Sequence, residues 1–270
     1  MTTSASGRGV VRADKRLGQH FLLDRNLNAK IARLAGPLEG FGVLEVGPGP
    51  GGLTRALLEA GAARVTAVEK DRRFLPGLEA IAAEFPGRLR VEIGDALAVD
   101  ETALIAPPYL IAANLPYNIA SPLIAKWLTG PLRPVAITVM FQKEVAERLT
   151  ARPGTADYGR LSVLAQALCQ PRIVLDVPRR AFTPPPKVAS ALVRLDPLPD
   201  RPSEALIAAL QEVTRAAFGQ RRKMLRSSLK GVGGEALART AGLDPTRRAE
   251  TLSIAEFLTL ARVRLEAQAR

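Results

Sequence analysis

Four residues suited to a buried strand, Val43-Leu44-Glu45-Val46, run directly into Gly47-Pro48-Gly49-Pro50-Gly51-Gly52. Helical spacing starts at once: Leu53, Leu57 and Ala60 share one face, and Gly61 ends the segment. A strand turning through glycines into a helix is the first half of a strand-helix-strand unit. Glycine lets the backbone turn tightly and approach a ligand closely. The alternation then repeats. Residues 64–68 read as a second strand closed by Glu69, and residues 72–84 as a helix. Residues 89–93 read as a third strand followed by Gly94-Asp95, and residues 109–113 as a fourth followed by Asn114. A further helix, a fifth strand over residues 135–140 and a helix from Gln142 complete the run. Upstream, Leu27, Ile31 and Leu34 share a helical face, with Asp24 as N-cap and Gly36 as the stop. Alternation of this kind predicts an α/β fold, a parallel sheet covered on both faces that binds ligands at the C-terminal ends of its strands.

The chain has 270 residues and 47% hydrophobic content, enough for one large core with a small second unit. Pro197, Pro199 and Pro202 mark a linker, beyond which the sequence is helical and basic. Residues 201–270 hold 13 Lys/Arg against 7 Asp/Glu, a net of 13 − 7 = +6. The expected organisation is therefore a tail over residues 1–14, a catalytic domain over 15–200 and a helical domain over 201–270. The tail lacks the apolar segment of a secretory signal, and no apolar run is long enough to span a membrane. Cys169 is the only cysteine and His20 the only histidine, so no intrachain disulfide and no metal site are expected. The cytosol is the expected compartment. Nothing in the architecture requires a second copy to close its core, so a monomer is expected. A formal net charge of +12 points to a polyanionic partner, nucleic acid first.

Gly47-x-Gly49-x-x-Gly52 also fits a dinucleotide-binding turn, while the absence of Gly-Lys-Ser/Thr rules out a P-loop. Three acids at successive strand ends narrow the choice. Glu45 sits inside the strand before the first glycine, where its charge suits a ligand carrying an ammonium and a sulfonium. Glu69 can accept both hydroxyl hydrogens of a ribose. Asp95 can accept from an adenine amino group. A nicotinamide enzyme would share Glu69, but no hydride-transfer acid/base pair is apparent.

Asn114-Leu115-Pro116-Tyr117 follows the fourth strand, in the mouth where the ligand should lie. The N6 lone pair of adenine is delocalised into its ring and is a poor nucleophile. Two acceptors, the Asn114 side-chain oxygen and the Leu115 carbonyl, can hold its N–H groups out of the ring plane. Pro116 stiffens the turn, and Tyr117 offers a flat face for an extruded base. Alone, these four residues would also make an ordinary Asn-Pro turn with a core tyrosine.

Further segments carry a resemblance. Lys15-Arg16-Leu17-Gly18-Gln19-His20-Phe21-Leu22, Phe141-Gln142-Lys143-Glu144-Val145-Ala146-Glu147-Arg148-Leu149, Phe182-Thr183-Pro184-Pro185-Pro186-Lys187-Val188-Ala189-Ser190-Ala191 and Phe218-Gly219-Gln220-Arg221-Arg222-Lys223-Met224-Leu225-Arg226 resemble the signatures of the ribosomal RNA adenine N6,N6-dimethyltransferases. Leu17 stands where that family usually has Phe. The likeness covers about residues 12 to 260. It implies a seven-stranded Rossmann-like class I methyltransferase sheet with a small C-terminal all-helical domain. It implies S-adenosylmethionine as cofactor, held by His20, Leu22, Gly47, Glu69, Asp95 and Asn114. It implies catalysis at Asn114, Leu115, Pro116 and Tyr117, with Phe182 beside Tyr117 to sandwich the adenine. The implied partner is small-subunit ribosomal RNA in a pre-30S particle. A large-subunit enzyme conferring macrolide resistance and a non-catalytic RNA-binding or transcription factor on the same fold are the alternatives. At 100° per residue, Arg222, Lys223, Arg226 and Lys230 would fall along one side of a helix, and Phe218, Leu225 and Leu229 on another that can pack inward. That stripe is expected to contact RNA phosphates.

Overall fold

The middle of the sheet is dictated by residues that can be buried on both faces. Residues 43–46 and 109–113 have almost no exposure, as strands covered by helices on both sides require. The computed structural model describes residues 19–220 and 222–269. The expected tail, Lys15 to Gly18 and Arg221 lie outside them. The chain begins with β1 (Phe21–Leu22) and α1 (Arg25–Ala35), followed by β2 (Gly42–Val46), α2 (Gly52–Glu59), β3 (Arg64–Glu69), α3 (Leu75–Glu84) and β4 (Leu89–Ile93). Next come β5 (Tyr109–Asn114), α4 (Tyr117–Thr129), β6 (Ile137–Gln142), α5 (Lys143–Thr150) and α6 (Arg160–Leu168). β7 (Cys169–Val177), β8 (Phe182–Thr183) and β9 (Ser190–Pro197) complete the strands. The helices α7 (Glu204–Phe218), α8 (Leu225–Ser228), α9 (Gly234–Thr240) and α10 (Ile254–Gln268) close the chain.

Seven strands form one sheet in the order β4-β3-β2-β5-β6-β9-β7. The first five run parallel, and β9 is antiparallel to both β6 and β7. From β2 the chain winds outward through β3 and β4, then returns to the other side of β2 as β5. The switch point where an open α/β sheet binds its ligand thus lies between β2 and β5. A separate two-stranded ladder, β1 with β8, pairs Leu22 with Phe182 and Phe21 with Thr183.

Several boundaries differ from the expected ones. Asn114 is the last residue of β5 rather than the first of a loop, pairing with Met140. The fifth strand starts at Ile137, because Val135 is 46% exposed and leads in from outside the core. The segment from Arg72 opens as a 3-10 turn capped by Asp71, and α3 starts beside Pro76, which has no N–H to give a preceding turn. β7 and β9 have no counterpart among the expected strands. β7 is an edge strand whose alternation is interrupted by Pro171 and a bulge between Ile173 and Leu175.

The expected basic helix is not continuous. α7 ends at Phe218, and α8 begins only at Leu225 and is four residues long. The backbone bonds elsewhere: Leu225 and Arg226 donate to the carbonyls of Arg247 and Pro245 at 2.8 and 3.0 Å. Arg222 and Lys223 therefore sit in a turn, Arg226 on α8 and Lys230 at a 3-10 turn. All four are exposed, and their side chains have no acidic partner among the described residues. Leu225 and Leu229 are fully buried, as the inward face required.

One apolar cluster runs from Leu44, Ile111 and Phe141 in the sheet into Leu210, Phe257 and Leu260 of the C-terminal helices. The Tyr158 hydroxyl donates to the Leu252 carbonyl at 2.9 Å across that junction. Among the described residues no helix is long and apolar enough to cross a membrane.

Candidate active site

The Gly-rich turn between β2 and α2 has the conformation its glycines permit. Gly47, Gly49 and Gly51 all have positive φ, at 70°, 51° and 83°. Gly51 is doubly constrained, since a Cβ there would meet Ile81 Cδ1 at 2.3 Å. Behind the turn, the Asn28 side chain of α1 donates to the Leu22 carbonyl of β1 at 3.0 Å, and both lie so close to Gly52 that a Cβ there would meet them at 2.9 and 3.0 Å. A cavity opens where β2 and β5 end. Gln19, His20, Leu22, Glu45, Gly47, Glu69, Asn114, Leu115, Pro116, Tyr117 and Phe182 all contribute to its wall.

Glu45 is fully buried. The Thr54 hydroxyl donates to one of its oxygens at 2.6 Å, while the other is buried without a partner. Loss of hydration raises the Glu45 carboxyl to about 8, against the opposing pull of the Thr54 hydrogen bond and with a small push from Glu69. Glu69 is arranged differently. One oxygen accepts from the Gly49 N–H at 3.0 Å and the other from the Asp71 N–H at 2.8 Å. These bonds aim the carboxylate and leave each oxygen a second lone pair. Burial raises the Glu69 pKa, and the backbone donors offset part of that.

On the β5 side, the Asn114 amide nitrogen donates to the His20 carbonyl at 3.3 Å. The donor end of the amide is thus engaged, and its oxygen remains as an acceptor. His20 is fixed in turn: Nδ1 donates to the Pro184 carbonyl at 2.7 Å. Its ring stacks on Tyr117 with centroids 5.6 Å apart, and the Tyr117 hydroxyl is 2.7 Å from Ser190 Oγ. Phe182 also reaches the cavity but is 2% exposed. The ring found against Tyr117 is therefore His20, while Phe182 packs into the wall through the β1–β8 ladder.

Asp95 stands apart from this cavity. It accepts from Lys70 at 2.7 Å and from the Leu97 N–H at 3.0 Å, and the Lys70 ammonium holds its pKa down. It follows β4, the outermost strand of the sheet and two strands from β2. Gln19, Asn28, Lys70 and Asp71 complete the surroundings and were not among the expected site residues. Asp71 accepts from Arg73 and from Gln19, at 2.9 Å for the latter, and is held down to about 2 chiefly by Arg73. Its one signal in the sequence is its place two residues after Glu69.

S-adenosylmethionine fits this donor set. A buried carboxyl oxygen of Glu45 without a partner suits a cationic ligand, which favours the ionised form of that group, the free lone pairs on Glu69 suit a ribose diol, and the side-chain-free turn admits a close approach.

The family model for ribosomal RNA adenine dimethylase matches residues 10–264. A ribosomal RNA small subunit methyltransferase A of Phenylobacterium zucineum is 62% identical over 251 residues, 92% of this chain and 87% of the relative. One from Caulobacter vibrioides is 58% identical, covering 94% and 98%. Among solved structures, a dimethyladenosine transferase from Plasmodium falciparum superposes with a TM-score of 0.73 at 27% identity, over 89% of this chain and 96% of that one. The 23S rRNA methyltransferase ErmE gives 0.65 at 29% identity, over 91% and 99%. With its glycine turn, paired acids and Asn114 turn assembled around one cavity and this likeness running almost end to end, the chain belongs to the ribosomal RNA adenine dimethylase family.

Proposed function

We propose that this chain dimethylates the N6 amines of two adjacent adenines in the 3′-terminal hairpin loop of small-subunit (16S) ribosomal RNA. It acts as a cytoplasmic monomer on an assembling 30S particle. The observation that carries the chemistry is the orientation of Asn114, whose amide nitrogen is engaged by the His20 carbonyl. The free oxygen then accepts one N6 proton and the Leu115 carbonyl the other, drawing the lone pair out of conjugation. His20 covers one face of the Tyr117 ring, and the extruded base stacks on the other, with Phe182 supporting the wall. The likeness to small-subunit enzymes at 58–62% identity favours that substrate over the large subunit.

Glu45, Glu69, Gly47, His20 and Leu22 hold the methyl donor, and Asp95, at present paired with Lys70, accepts from its adenine amine. S-adenosylmethionine supplies an electrophilic methyl group on a positively charged sulfur. The residues around the amine need to position rather than deprotonate it, because the N6 proton becomes acidic once the nitrogen is alkylated. The test is transfer from labelled donor to small subunits lacking the modification, with modified nucleotides mapped. Label on the two adjacent adenines is expected. Label confined to large subunits would overturn the assignment.

A further inference from the structure

Tyr117 is the first residue of α4, and its half-buried side chain reaches the cavity wall. A flat ring on a flexible stem needs two restraints before it can present one face to a base. A bond to the hydroxyl, which lies on the ring axis, fixes where that axis points. A stacked neighbour fixes the rotation about it. His20 supplies the stack, its ring inclined 29° to that of Tyr117. Ser190 supplies the anchor, its Oγ 2.7 Å from the phenol oxygen.

Ser190 is placed to hold still. It opens β9, which lies between β6 and β7, and is in register with Gln142 on one side and Val177 on the other. Its side chain is fully buried. Ala191, Leu192 and Val193, which follow it, are apolar and equally buried, so alanine would satisfy this position in the core. A hydroxyl taken out of water costs stability unless it finds a partner. Among the described residues that partner is the Tyr117 hydroxyl. Burial raises the Tyr117 pKa, so the phenol keeps its proton and the contact joins two neutral hydroxyls.

One segment governs both restraints. The Pro184 carbonyl accepts from His20 Nδ1 at 2.7 Å and so sets the ring that stacks on Tyr117. Further along the same segment, Ser190 reaches the hydroxyl. Between them, the Ala189 carbonyl accepts from the Lys143 N–H at 3.0 Å and ties the segment to the start of α5.

We infer that Ser190 is a positioning residue: through its hydrogen bond to Tyr117 it holds the free face of that ring where the extruded adenine stacks, with N6 aligned to the methyl donor. The inference deepens the proposed function and rests on it. Ser190 acts through Tyr117 and contributes nothing to the cavity wall itself. Alignment of this kind acts on the rate of transfer rather than on the affinity for either substrate.

The test compares full-length wild type, Ser190→Ala, Tyr117→Phe and the double variant on small ribosomal subunits lacking the modification. Tyr117→Phe keeps the stacking ring and breaks the same hydrogen bond from its other end, so the comparison survives if Ser190→Ala impairs folding. Each single variant should lower the single-turnover rate at saturating donor and subunits about tenfold, the loss of one hydrogen bond expressed as a rate. The KM for subunits and the affinity for S-adenosylmethionine should stay at their wild-type values. The double variant should be no slower than either single one, because both changes remove one interaction. A bond that served folding alone would lower Tm and leave the rate intact, and that result would overturn the inference. Tyr117→Phe at the wild-type rate overturns it by itself. Losses that multiply in the double variant would also overturn it, since Ser190 would then act by another route. Were wild type to methylate only large subunits, the substrate assignment would fall, and the same series on that substrate would decide the role of Ser190 by the same criteria.

Discussion

Replacing Glu45 with glutamine tests the electrostatics of the cavity. Burial lifts this carboxyl from its ordinary 4.5 to about 8. At neutral pH the folded protein therefore keeps a proton that the unfolded chain has released. Between those two values the folded state binds more protons, so stability falls as pH rises through the window. The contribution is complete below 4.5 and lost as pH passes about 8. By that linkage, a group titrating at this point removes about 1.3 kcal/mol of stability between about pH 7 and about pH 9. In a chain of this size the loss corresponds to a fall of about 3–5 °C in Tm. Glutamine preserves the shape, can still accept from Thr54 Oγ1, and does not titrate. Thermal unfolding of both proteins across this range should show a steeper decline for wild type by that amount. A cationic ligand favours ionised Glu45, so saturating S-adenosylmethionine should flatten the wild-type curve and leave the slope of Glu45→Gln unchanged. Parallel curves for the two proteins, with and without donor, would refute the reasoning.

Asn114→Ala should lower methyl transfer about 10²–10³-fold, the usual cost of one transition-state hydrogen bond. Folding should be retained, and near wild-type turnover would remove Asn114 from the mechanism. Phe182→Ala should cost about 3–5 kcal/mol of stability because the ring is buried, whereas Tyr117→Leu should stay folded and lose activity. Comparing denaturation midpoints with single-turnover rates separates the two, and full activity in Tyr117→Leu would return that ring to a structural role. The joint change Arg222→Gln, Arg226→Gln and Lys230→Gln should weaken subunit binding and flatten its salt dependence, with Tm barely moved because all three side chains are exposed. Superimposable salt series would assign these cations to solvent.

Local chemistry determined much of this protein in advance. The Val43–Val46 run into a glycine turn reads as a strand entering a helix, which β2 and α2 are, and the α1 cap at Asp24 is formed as its side chain predicts, accepting from Asn26 and Leu27. The set at the cavity was also legible, because Glu45, Glu69 and Asn114 occupy strand ends whose spacing follows from the alternation. Periodicity failed where long-range bonding overrode it. The cations at 222–230 fit a helical wheel, yet the backbone there pairs with residues 245–248, which no local pattern encodes. β9 could not be placed between β6 and β7 from its own residues, since sheet order is set by packing between distant segments. Only the tertiary structure decided what faces what. It set His20 against Tyr117, engaged the donor end of Asn114, and paired Asp95 with Lys70. It also left one Glu45 oxygen and the Arg160 Nε buried without partners. Residue type specifies what a group is able to bind, but whether that capacity is already spent depends on neighbours brought together across the fold.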